Sequence, residues 1–131
     1  MIGRLEIQRL DLAVMIVEGV EEQDLLRGAG HIPGTALPGE PGNVAIGGHR
    51  DTFFRPLRNI RNEDIISLTT LHGSHRYVVT FTEITGPADT QVLNGNSKPM
   101  LTLISCYPFS YVEHAPQRFV VHARRIDSRR D

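Results

Sequence analysis

A single cysteine, Cys106, stands where chemistry is possible. It ends the apolar segment LTLISC, and Tyr107-Pro108 follows at once, so a pleated run should break just after the thiol and leave it at a rim. A rim thiol can act as a nucleophile when a neighbour stabilises the thiolate; without one, a lone cysteine is ordinarily buried and inert. The neighbour that would take its proton is a histidine. The chain has six (His31, His49, His72, His75, His114 and His122), and one drawn at random is more often solvated than catalytic. His49 stands apart because it follows the apolar run Asn43 to Ile46 and two glycines, in the setting Gly-Gly-His-Arg-Asp, where backbone or substrate can come close. Arg50 and Asp51 add a charged turn that either orients the imidazole or solvates the loop, solvation being the reading for Arg50.

A papain-like order needs its histidine far downstream of the cysteine, and only 25 residues follow Cys106. The base must come from upstream, or from His114 in the segment YVEHAPQ or His122, the two alternatives to His49. Arg118 begins a strong apolar segment shortly after Pro116. By default an arginine there is a solvated edge charge, but acyl transfer needs donors directed at a developing oxyanion or at substrate carbonyls, and a guanidinium fork supplies several. Other chemistries find little support. There is no His-x-x-x-His or Cys-x-x-Cys spacing, and the His72/His75 pair lies in an expected hairpin turn without a cysteine nearby. The glycine-rich stretch Gly28 to Gly42 lacks the phosphate-loop pattern. No metal and no cofactor is expected.

The elements that must position these residues are mostly strands. Leu5 and Ile7, then Leu12 to Val17, form two short apolar segments. Glu21 to Arg27 has acidic residues first, leucines next, an arginine late and Gly28 as a stop, the order of a short helix. Gly28 to Gly42, with five glycines and three prolines, is expected to be a loop. Asn43 to Ile46 reads as a buried strand whose glycine end is approached closely by another backbone. Asp64 to Thr70 and His75 to Glu83 read as a hairpin around Gly73, and Leu101 to Cys106 and Arg118 to Arg124 complete the set. In the last strand Phe119, Val121 and Ala123 share one face, while Arg118, Val120, His122 and Arg124 share the other, so Arg118 should leave the core. Seven or eight short strands with little helix predict a closed or nearly closed, antiparallel-rich barrel.

With 131 residues, 40% of them hydrophobic, the chain has material for one core, so residues 1–131 read as a single domain. Fourteen basic against fifteen acidic residues provide no global field for nucleic acid or an anionic membrane. The longest apolar run, Leu12 to Val17, is far short of the roughly 18–20 residues of a membrane span, and no secretory signal opens the chain. A lone cysteine also excludes a disulfide-stapled scaffold.

The segments HIPGTALPGEPGNVAIGGHRDTFFRPL (residues 31–57), LTLISCYPF (101–109) and APQRFVVHARR (115–125) together closely resemble the sortases, and Tyr-Pro-Phe after the cysteine is most similar to class D. The family's usual Thr-Leu-x-Thr-Cys is met by Thr102, Leu103 and Ile104, with Ser105 in place of the second threonine. The resemblance implies an eight-stranded closed barrel with one or two short helices and a substrate groove on its outer face. It implies that Cys106 attacks a sorting signal such as LPxTG to form a thioacyl enzyme, which an amine acceptor from cell wall or pilin resolves. His49 would exchange the protons and Arg118 would hold substrate; Thr102, Ser105 and Tyr107 are candidate substrate-binding residues. It further implies an extracytoplasmic protein held by an N-terminal membrane anchor upstream of Met1. A same-fold peptidase releasing peptide to water and a non-catalytic peptide-binding barrel are the alternatives. The segment Pro87 to Pro99 is expected near the groove, where it would help set signal preference.

Overall fold

The computed structural model describes residues 2–49, 54–85, 98–106 and 118–126. Within these, alternation of buried and exposed side chains makes β1 (Gly3–Ile7) and β2 (Leu12–Glu18) an antiparallel pair with Leu5 opposite Val14. The single-turn helix α1 (Glu22–Leu25) follows, shorter than the expected Glu21 to Arg27. Asp24 is the reason: its Oδ2 accepts the Glu21 amide at 3.1 Å, and its backbone carbonyl takes both Arg27 and Gly28 amides, closing the chain into a turn.

Next come β3 (Ala29–His31), β4 (Asn43–Gly48), β5 (Ile65–Thr70), β6 (Gly73–Thr85), β7 (Met100–Cys106) and β8 (Arg118–Arg125). The described strands close into a barrel in the order β1-β2-β3-β4-β7-β8-β6-β5, with β5 returning to β1. The pairings are antiparallel except β2 with β3 and β4 with β7. β6 spans the barrel: it forms the tight hairpin with β5 that the sequence predicts, and a register shift between Val79 and Phe81 bends it along β8.

β3 corrects the expectation of a loop across Gly28 to Gly42. Ala29–His31 is a strand because β2 and β4 offer hydrogen-bonding edges on both sides, and because Gly30 lets the chain through. A Cβ at Gly30 would lie 2.0 Å from the Gly19 carbonyl oxygen. The irregular stretch after β3 is tied down as well: Ile32 N–H donates to Ala45 O at 2.9 Å and Ala36 N–H to Asn43 O at 3.0 Å. Buried His31 braces it, with Nδ1 at 2.9 Å from Glu18 Oε1 and Nε2 at 2.8 Å from Ala36 O.

The barrel interior holds Leu5, Ile16, Val44, Ile46, Leu101, Leu103, Val121 and Ala123, with Phe119 packed against them. β8 therefore presents the predicted face to the core. Its other face is not simply solvent, however. His122 is buried, stacked on Phe81 with ring centroids 4.3 Å apart and bonded through Nε2 to Glu83 Oε2 at 2.6 Å. On the seam between β1 and β5, Arg9 grips Asp64 through Nε and Nη2 at 2.6 and 2.8 Å and donates to Asn59 O at 2.7 Å.

Candidate active site

β4, β7 and β8 lie side by side. β4 and β7 are parallel, so both run toward the same end of the barrel, and Gly48 sits opposite Ser105. One residue further on come His49 and Cys106. β8 starts where β7 stops, and in that antiparallel ladder Cys106 is the direct partner of Arg118. With neighbouring strands about 4.8 Å apart, the three backbones form one row roughly 10 Å long across three strands. Sequence positions 49, 106 and 118 are thus gathered by register alone.

Val44, Ile46, Val121 and Ala123 point into the core, so the period of two assigns positions 49 and 118 to the outer face. His49 and Arg118 are half-buried. On that face, Ile104 and Val120, each two residues from the row, pack with Ile32 into a small apolar cluster. The sequence reading missed this floor. Its signal was the adjacent apolar pairs Leu103-Ile104 and Val120-Val121, which indicate strands covered on both sides rather than one.

On the inner side of the same strand ends lies a cavity of 150 Å³. Ser105, buried, opens onto it beside Phe54, Leu57 and Phe119. The glycine at the end of β4 does admit a close neighbour, but that neighbour is an aromatic ring and not a backbone. A Cβ at Gly48 would stand 2.7 Å from Phe54 Cδ2. Phe54 is also coupled to the row, since its N–H donates to the His49 carbonyl at 3.1 Å.

Two candidate substrate contacts are relocated by this geometry. Thr102 is fully buried and its hydroxyl donates to Asn43 Oδ1 at 2.8 Å, so it ties β7 to β4 and has no surface to offer a substrate. Ser105 serves the inner cavity rather than the outer face. Tyr107, Arg50, Asp51, His114 and residues 87–97 of the expected groove loop lie outside the described residues. His122, one of the alternative bases, pairs with Thr102, four ladder positions from the Cys106–Arg118 pair, and is held by Glu83. A residue that no motif indicated stands in the row instead: Thr85 lies opposite Arg118 in the β6/β8 ladder, its buried Oγ1 without a hydrogen-bond partner among the described residues.

The fold and site define a closed β-barrel carrying cysteine, histidine and arginine at the ends of three adjacent strands. Residues 5–126 match the sortase domain family, and the chain belongs to it. It is 36% identical over 125 residues to Sortase D of Bacillus subtilis, covering 95% of this chain and 63% of that protein. Against Sortase A of Listeria monocytogenes it is 28% identical over 109 residues, covering 80% and 49%. Among solved structures, a Clostridium perfringens Sortase D5 transpeptidase superposes with a TM-score of 0.86 at 31% identity, covering 96% of this chain and 79% of that one. Sortase A from Corynebacterium diphtheriae gives 0.87 at 30%, covering 98% and 61%. The chain therefore spans about half to two-thirds of the length of these two curated relatives. Among the described residues, no helix is long and apolar enough to cross a membrane.

Proposed function

We propose that this chain is a cysteine transpeptidase that cleaves an LPxTG-like sorting signal and joins the released acyl group to an amine. The Cys106 thiolate attacks the scissile carbonyl, forming a tetrahedral oxyanion. His49, as imidazolium, gives its proton to the departing amine while the C–N bond breaks, leaving a thioacyl enzyme. An acceptor amine then attacks the thioester and loses a proton to His49, and the thiolate departs, so one amide has been exchanged for another. Arg118 donates to the oxyanion or to neighbouring substrate carbonyls, through a fork rigid enough to bind two oxygens together. The single observation that carries this reading is the register: His49 and Cys106 each follow a paired residue in β4 and β7, and Cys106 pairs directly with Arg118. Ile32, the partly exposed member of the cluster it forms with Ile104 and Val120, suits the aliphatic part of such a signal.

The substrates are sorting signals of secreted proteins and an amine acceptor in the cell wall or on a pilin. The protein works outside the cytoplasm, held by an N-terminal membrane anchor, as family membership supports. The test is mass spectrometry of the protein with a panel of sorting peptides and an amine, beside Cys106→Ala. A thioacyl adduct on Cys106 and an amine-joined product, both lost in the variant, are expected. Release to water alone, with the acceptor saturating, makes it a peptidase. No adduct with any peptide makes it a binding barrel.

A further inference from the structure

The cavity on the inner side of the strand ends is not used by the outer-face chemistry, and its walls are chemically particular. Leu57, Phe119 and Ile84 give it an apolar lining, and Arg55 and Arg58 stand at its edge. Both arginines project from the 3-10 turn Arg55–Asn59, three residues apart and so on one side of it, and both are exposed. Neither has an ion-pair or hydrogen-bond partner among the described residues, whereas Arg9 and Arg125 are engaged in named contacts. The nearby carboxylate on β6, Glu83, is held by His122. Two open guanidinium groups beside an apolar hollow are complementary to a carboxylate on a short aliphatic stem.

The cavity is joined to the site at two points. Ser105 precedes Cys106, and Phe54, which forms part of the wall, donates its amide proton to the His49 carbonyl. Its lining residues Ser105, Phe119 and Ile84 each stand one residue from the row, so a molecule seated there reaches the row around the strand ends. We infer that this cavity binds the carboxylate-bearing part of the acceptor, with Arg55 and Arg58 pairing with the carboxylate and Leu57, Phe119 and Ile84 receiving the methylenes that lead to the amine. The inference rests on the transpeptidase reading above and adds to it: the enzyme distinguishes acceptors by a negative charge set back from the attacking nitrogen.

The experiment uses the protein with a sorting peptide that it cleaves, and a series of ω-amino acids of two to six carbons against their carboxamides. The readout is the ratio of amine-joined to hydrolysed product by mass spectrometry. For at least one chain length the carboxylate is expected to be preferred roughly fivefold, the fold-change of about 1 kcal/mol for exposed ion pairs. That preference should weaken in high salt and vanish in Arg55→Gln/Arg58→Gln. Arg4→Gln, on the far strand β1, should keep it. Thioacyl formation with equal use of both series, or a preference that survives the double substitution, overturns the acceptor site while leaving the transpeptidase standing. No thioacyl adduct in the unsubstituted protein overturns the transpeptidase reading, and the acceptor site with it.

Discussion

Gly48→Ala tests whether the barrel end is built as described. The added methyl would sit 2.7 Å from Phe54 Cδ2 and 2.9 Å from Cγ and Cε2, whereas carbon atoms rest at about 3.5 Å or more. The ring must therefore retreat by roughly 0.8 Å, set by that same separation. Phe54 is 1% exposed and packed into the main core on every side but the one that borders the cavity, so its retreat is resisted except in that direction. Overpacking of this kind costs about 1–3 kcal/mol. For a chain of this size that lowers Tm by about 4–12 °C. The damage should also reach function, because the Phe54 amide holds the His49 carbonyl. A displacement near 1 Å at a reacting group can cost on the order of 100-fold in rate, and a fall of at least tenfold in kcat/KM for peptide cleavage is expected. The assay is thermal unfolding by circular dichroism together with cleavage of a fluorogenic sorting peptide, for Gly48→Ala, Phe54→Leu and the pair. Leucine frees the space the ring occupied, so the two changes should couple favourably, by about 0.5–3 kcal/mol. A Tm within 1 °C of the parent, or strictly additive losses, would refute the argument that Phe54 is seated on Gly48.

Four further outcomes follow from the site and the seam. Arg118→Ala should lower kcat for thioacyl formation by roughly 100- to 1,000-fold, the scale of losing an oxyanion donor; Arg118→Lys should recover only part of it, and full recovery would reduce the role to bare charge. Thr102→Val should cost about 1–3 kcal/mol in urea unfolding, because it leaves Asn43 Oδ1 short of a donor, with peptide KM unaltered; a raised KM would restore Thr102 as a substrate contact. Thr85→Val removes a buried hydroxyl that has no partner among the described residues, so stability should hold or rise by about 1 kcal/mol, and a clear loss would mean that Oγ1 is bonded. Asp64 is held below the ordinary carboxylate range, chiefly by the Arg9 hydrogen bonds and also by the Arg61 N–H, against the opposing pull of burial. A depressed folded pKa stabilises above the unfolded value and is lost as pH falls through the folded one. Asp64→Asn should therefore unfold at lower urea than the parent at pH 7, with the gap closing below about pH 4; a gap independent of pH would remove the charge from the explanation.

Much of the barrel was legible because strand patterning is local. Leu5 and Ile7, Leu12 to Val17, and the two faces of Arg118 to Arg124 declare their inward sides by a period of two, and the structure keeps that alternation. What failed was whatever depended on a neighbour distant in sequence. Ala29–His31 looked like loop because its glycine propensity was read without the two strand edges that enclose it. Thr102 looked available because its motif carried no trace of Asn43, 59 residues away. The alternation placed His122 on the outer face, but it could not show that Phe81 and Glu83 reach it across a strand pairing.

The residue types able to do chemistry, their family motifs and a barrel of short strands were all readable from the order of amino acids. Their order along the chain, histidine then cysteine then arginine with 56 and 11 residues between successive members, could not bring them together. That was decided by closing β4 onto β7 in parallel and β7 onto β8 in antiparallel sense, which places three strand ends at one rim. Backbone hydrogen bonding fixes this register for the whole strand at once, because slipping it by a single residue would turn Leu101, Leu103, Val121 and Ala123 out of the core. The site is thus held in place by the burial of side chains that take no part in its chemistry.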